Sequence, residues 1–145
     1  MTDTDKNPAA DLAEALDALK DLLAGERDPD RFDVRALFLP LGALVLEGDL
    51  DSLAPTLERI AVGIEGRREA WERAVSEELE LAGDEFCRSV DPRYLAMPNY
   101  DLAYTLASRE YLACRIQAAV QLGFELPESL EARVEEADRA LDPYL

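Results

Sequence analysis

Ala36-Leu37-Phe38-Leu39-Pro40-Leu41-Gly42-Ala43-Leu44-Val45-Leu46 is the stretch on which the fold turns. No residue in it has a polar side chain, so a helix here is apolar on every side and must be enclosed by other helices. It is too short to cross a bilayer, which takes about 20 apolar residues, and Pro40 and Gly42 interrupt it. The expected element is a buried helix over 33–47. Pro40 removes one backbone donor and kinks it, and Gly48-Asp49 ends it.

The neighbouring elements follow from helical spacing and punctuation. Asn7-Pro8 supplies a cap and a proline at the first helical position. Leu12, Leu16, Leu19 and Leu23 then recur at helical spacing up to Gly25, predicting a helix over 8–24. Residues 1–6 read as a frayed end, and Asp28-Pro29-Asp30 as a turn. On the other side, Asp51 or Ser52 opens a helix over 52–82. Its stripe is Leu53, Leu57, Ile60, Ile64, Trp71 and Val75, interrupted by Arg67 and stopped at Gly83. Residues 84–99 are irregular, because Asp91-Pro92 and Met97-Pro98 forbid long regular structure. Asn99 caps a helix over 100–122, closed by Gly123. A last helix over 128–141 carries Leu130, Val134, Ala137 and Leu141. No stretch alternates with a period of two. The expectation is therefore an all-α, single-domain bundle of about five helices spanning residues 1–145.

Charge dominates the composition. The 32 acidic residues outnumber the 15 basic ones, for a net charge of -17. Self-repulsion of this size destabilises a compact chain in dilute buffer. Salt at 1 M shortens the screening length to about 3 Å and removes most of the penalty. The chain thus reads as a halophilic, cytoplasmic domain. Binding a nucleic-acid backbone needs clustered basic residues, and none occur, so neither nucleic acid nor membrane is an expected partner. Cys87 and Cys114 show no metal or redox spacing and read as small hydrophobes in a reducing cytosol.

Catalytic chemistry has few footholds. The absence of histidine removes Ser-His and Cys-His nucleophiles and histidine-bearing metal sites. An all-carboxylate magnesium site is the remaining option. Glu69 and Glu72, Glu77 and Glu80, and Glu135 and Asp138 have the acid-x-x-acid spacing of helical nucleotide pyrophosphatases, and oxygen ligands suit Mg²⁺. With 32 acids in 145 residues, however, chance alone supplies about seven such pairs. No catalytic residue, metal ligand or cofactor is therefore assigned.

The most informative segment is the least acidic one. Over residues 86–124, Arg88, Arg93, Arg109 and Arg115 face Asp91, Asp101 and Glu110, a balance of +1 in a chain of -17. Four of the five tyrosines lie here: Tyr94, Tyr100, Tyr104 and Tyr111. At about 100° per residue, Tyr100, Tyr104, Tyr111 and Arg115 share one stripe of their helix. Tyr and Arg are enriched where proteins touch, so these four and Trp71 are the candidate contact residues. Burial within a central helix is the structural alternative. Arg109 falls on the opposite, apolar side of that helix and needs either an acidic partner or an anionic ligand.

The functional expectation is a homodimeric, protein-binding or regulatory module. The alternative is a small magnesium-dependent, pyrophosphohydrolase-like enzyme acting on an anionic or nucleotide substrate. A helix over 52–82 would be about 46 Å long, more than the roughly 38 Å diameter of a compact chain of this length. It must overhang the bundle or lie against a second subunit, unless it breaks at Gly63 or Gly66. The charge also sets a direct test of salt dependence. Thermal unfolding is expected to move up by several degrees between 0.1 M and 2 M KCl, and a midpoint that ignores salt would remove the halophilic assignment.

Overall fold

The computed structural model describes residues 7–145, and among them the chain is all-helical, without a strand. The expected fraying of residues 1–6 lies outside the described residues. The apolar stretch forms the centre of α3 (Arg31–Glu47), which runs as one helix through Pro40. Its Val34, Leu37, Phe38, Leu41 and Val45 are buried. The helix starts two residues earlier than its apolar pattern suggests, because Asp30 and Asp33 form a reciprocal cap. Asp30 accepts from the Phe32 and Asp33 amides, and Asp33 accepts from the Asp30 amide at 2.9 Å. Arg27 grips Asp33 with both ends of its guanidinium and Asp21 with its Nε, fixing the turn before α3.

Around α3 stand α1 (Pro8–Ala18), α4 (Leu50–Glu65), α5 (Arg68–Ser89) and α7 (Leu102–Gln121), with short α2 (Lys20–Leu23) and α6 (Pro92–Leu95) between them. The last helix, α8 (Leu130–Leu141), packs on α5. One apolar core, running from Leu12 to Leu141, joins these helices.

α3 packs most extensively against α7. At their crossing the two backbones nearly touch: a Cβ added to Gly42 would sit 1.8 Å from the carbonyl oxygen of Cys114. Side chains at a helix crossing set the distance between axes, and here the closest position has none. Small residues therefore occupy the buried face of α7: Thr105, Ser108, Cys114, Ala118 and Ala119, beside Leu112 and Arg115. On the larger apolar side, Leu106 and Val120 are exposed.

Four expected elements are corrected. The helix expected over 8–24 is divided at Leu19 into α1 and α2. The helix expected over 52–82 breaks at Gly66-Arg67. Arg67 leaves helical geometry, donates from Nε to the Gly25 carbonyl at 2.8 Å and pairs with Asp28 at 2.6 Å. With that break, α5 is about 33 Å long, and nothing in helix length calls for a second subunit. Gly83 does not stop α5, which continues to Ser89. Gly83 instead leaves room for Leu130 of α8, whose Cδ1 lies 2.6 Å from where a Cβ would stand. Asp101, not Asn99, caps α7, accepting from the Tyr104 amide at 3.0 Å.

The glycines divide by what surrounds them. Gly42→Ala forces backbone against backbone and is expected to cost about 3 kcal/mol or more, the upper end for overpacking. Gly66 is helical and faces open space, so Gly66→Ala should stabilise the chain by up to about 1 kcal/mol. Urea denaturation of the two variants measures both. Equal effects would contradict the close crossing.

Candidate functional site

Glu78 is the residue around which a site assembles. It lies on the buried stripe of α5 with Trp71, Val75, Leu79, Ala82 and Phe86. Arg115 reaches it from α7, with Nε 2.9 Å from Oε2. Arg35 and Arg31 of α3 approach the same carboxylate at 3.8 and 3.9 Å. Both Glu78 and Arg115 are buried, 2 % and 4 % exposed. The Arg115 Nε–H is not aimed at Oε2, and neither atom has another hydrogen-bond partner among the described residues. Burial opposes both charges: it raises the Glu78 carboxyl against the pull of Arg115, Arg35 and Arg31, and lowers the Arg115 guanidinium against Glu78. Arginine stays protonated in proteins, so Glu78 is the group whose ionisation has consequences.

Beside this pair, between α3, α5 and α7, lies a small, partly open pocket of about 160 Å³. Arg35, Glu85, Tyr104, Ser108, Tyr111 and Arg115 line it. A shallower cleft of about 460 Å³ adjoins it, formed by the end of α5, α6 and the start of α7, with Arg88, Tyr94, Met97 and Tyr100 on its walls. Tyr104 and Glu85 belong to both. The Tyr104 hydroxyl donates to Glu85 Oε1, and that bond to a carboxylate raises the phenol above its ordinary value. Tyr100 and Thr105 share a hydrogen bond of 2.5 Å behind the cleft.

The candidate residues separate into three groups. Tyr104 and Tyr111 are exposed and line the pocket. Tyr100 precedes α7 instead of riding on it, and lines the cleft half-buried. Trp71 and Arg115 are not on an outer contact surface. Trp71 is fully buried in the core, its Nε1 without a partner among the described residues, and Arg115 turns inward to Glu78. Arg109 forms a two-pronged ion pair with Asp138 of α8 at 2.8 and 3.1 Å, its guanidinium 5.7 Å above the Phe86 ring. Arg109 is a structural clamp and lies outside both the pocket and the cleft.

Glu78, Arg35, Glu85, Ser108, Tyr94 and Met97 were not singled out in the sequence. Glu78 did leave a signal, being a carboxylate seven residues after Trp71 within an apolar helical stripe. One carboxylate of each pair with magnesium-site spacing is engaged by an arginine: Glu72 by Arg68, Glu77 by Arg31 and Asp138 by Arg109. Among the described residues, no three Cys, Asp or Glu side chains converge as a metal-holding set. Cys87 and Cys114 are free thiols whose burial raises them, which keeps them protonated. No helix is long and apolar enough to cross a membrane among the described residues.

Fold and site together define an all-α protein with an arginine-floored pocket beside a tyrosine cleft. No family model, curated protein or solved structure matches the chain.

Removing one member of a buried ion pair costs about 3–5 kcal/mol, whereas replacing both with apolar groups is often neutral. Arg115→Met is therefore expected to destabilise strongly and Glu78→Leu/Arg115→Met much less, as urea midpoints will show. Glu78 also sets a pH dependence. Its folded value lies above the ordinary 4.5, so in the window just above 4.5 the folded chain holds a proton that the unfolded chain releases. Its contribution to stability grows as pH falls through that window. Wild type should gain on Glu78→Gln as pH falls from neutral toward 5. A loss instead would show a carboxylate stabilised in its ionised form.

Proposed function

We propose that this protein is a binding module, regulatory and not catalytic, that works in concentrated salt and meets its partner through the tyrosine cleft. The observation that carries this reading is the lining of the cleft. Tyr94, Met97, Tyr100 and Tyr104 converge there with Arg88 beside them, in a segment, residues 86–124, whose charge balance is +1 in a chain of -17. Elsewhere the acidic surface repels both acidic partners and a second copy of itself. Tyrosine and methionine supply apolar contact area that adapts to a partner, and arginine adds directed donors.

A second copy of the chain is the first partner proposed, since closed two-fold dimers are the commonest assemblies and most of the cleft lining is uncharged, with only Glu85, Arg88 and Asp101 carrying charge. The engagement of Glu72, Glu77 and Asp138 by arginines argues against the magnesium-dependent alternative.

Light scattering in 2 M KCl tests the proposal on wild type and on Tyr94→Glu/Tyr104→Glu. Both tyrosines are about half exposed, so the variant should fold, as circular dichroism will verify. A dimeric wild type and a folded, monomeric variant are expected. A wild type that stays monomeric at high micromolar concentration would remove the second copy as occupant, and a dimer in both would move the interface elsewhere.

A further inference from the structure

The pocket beside Glu78 differs from the cleft in being smaller and less open, and in having two arginines, Arg35 and Arg115, on its wall. Its volume of about 160 Å³ is close to that of an engineered cavity of roughly 150 Å³ that takes up one benzene molecule. It therefore has room for one small molecule and not for a peptide.

Two guanidinium groups, Arg35 and Arg115, stand on its wall with one carboxylate, Glu85. Both arginines also approach Glu78, which lies outside the lining. A guanidinium carries five N–H donors and no acceptor, and the Nε–H of Arg115, though 2.9 Å from Glu78, makes no aligned hydrogen bond among the described residues. Arg35, also on the pocket wall, meets Glu78 only at 3.8 Å. A planar oxyanion is what two such arginines lack, because carboxylates match the guanidinium fork. Glu85, also on the wall, accepts one bond from Tyr104. A dianion such as phosphate would face Glu85 on the wall, and like charges at close range are unfavourable. A ligand with a cationic group beside its carboxylate satisfies Glu85 as well and adds nothing to the net charge. The methyls of Ala82 and Ala107 and the rings of Tyr104 and Tyr111 complete the lining, leaving space for a small apolar body.

We infer that this pocket binds a small amino-carboxylate zwitterion, a free α-amino acid in the simplest case, with its carboxylate on Arg35 and Arg115 and its ammonium on Glu85. The Ser108 hydroxyl, on the buried face of α7, is placed to add a hydrogen bond to the carboxylate. The inference goes beyond the cleft as a contact surface and is tested separately: light scattering reads the cleft, and heat of binding reads the pocket.

The experiment is titration calorimetry with each of the twenty L-amino acids. Valine is compared with isovalerate, which lacks the amine, and isobutylamine, which lacks the carboxylate. Inorganic phosphate is a further probe. At least one small amino acid should bind once per chain. Its one-charge analogues should bind at least tenfold more weakly. Arg35 is exposed, so Arg35→Met should leave the helical spectrum intact while weakening binding at least tenfold. Glu85→Gln should abolish the preference for the amino acid over its deaminated analogue. Binding of none of the twenty up to 10 mM would overturn the inference, as would an undiminished affinity in Arg35→Met. A carboxylate that binds as tightly without its amine, or phosphate that binds where amino acids do not, would overturn the zwitterion assignment.

Discussion

The crossing of α3 and α7 at Gly42 is the contact on which the rest of the structure depends. Nothing larger than a hydrogen fits between Gly42 and the Cys114 carbonyl. The two helices can approach this closely only because the facing side of α7 is built of small residues. Large apolar residues are thereby displaced to the other sides of both helices. Phe38 meets Phe124 at a ring separation of 6.2 Å, and Leu37 and Leu41 are fully buried where α1, α4 and α5 also pack on α3. The same approach brings α3 and α7 close enough to α5 for Arg35 and Arg115 to share Glu78.

Arginine does much of the remaining fastening, and its placement follows from the net charge. In a chain this acidic a guanidinium finds a carboxylate almost anywhere, so what matters is which elements each pair joins. Arg67 ties the break between α4 and α5 to the turn at Gly25 and Asp28. Arg68, next in sequence, donates to the Gly123 carbonyl and lies 4.7 Å from the Phe124 ring, holding the end of α7. Arg109 clamps α7 to α8. These pairs are partly exposed, where single ion pairs contribute little, and their role is to set orientation. The buried Glu78–Arg115 pair is different in kind: desolvation opposes it, and Arg115 also forms part of the wall of the small pocket between α3, α5 and α7.

Much of the helix inventory was legible because it rests on local rules. The buried α3, the last helix and the end of α7 at Gly123 all follow from periodicity and punctuation. The misreadings share a cause. Gly83 looked like a stop because a glycine ends a helix when read locally, whereas its use is to admit Leu130 from a helix 47 positions later. Tyr100 looked like part of a helical stripe because its spacing fits, yet Asp101 caps the helix one residue beyond it. The tyrosines and the low charge of residues 86–124 pointed to the segment that supplies most of the cleft lining. Glu78 and Arg35 did not stand out, since one acid among 32 or one arginine on a neighbouring helix acquires meaning only from what it faces.

The sequence by itself determined that the chain is helical and acidic, without histidine chemistry, and that one helix must be enclosed. Those properties belong to residues taken in order, through backbone periodicity, capping and summed charge. Only the tertiary structure decided that Trp71 and Arg115 face inward, that the long apolar stripe after Asp51 is two helices, and that three arginines converge on one carboxylate. Such outcomes depend on which faces meet and how closely. That was set by a hydrogen in place of a methyl group at Gly42, a constraint imposed across 72 positions of chain by the backbone at Cys114.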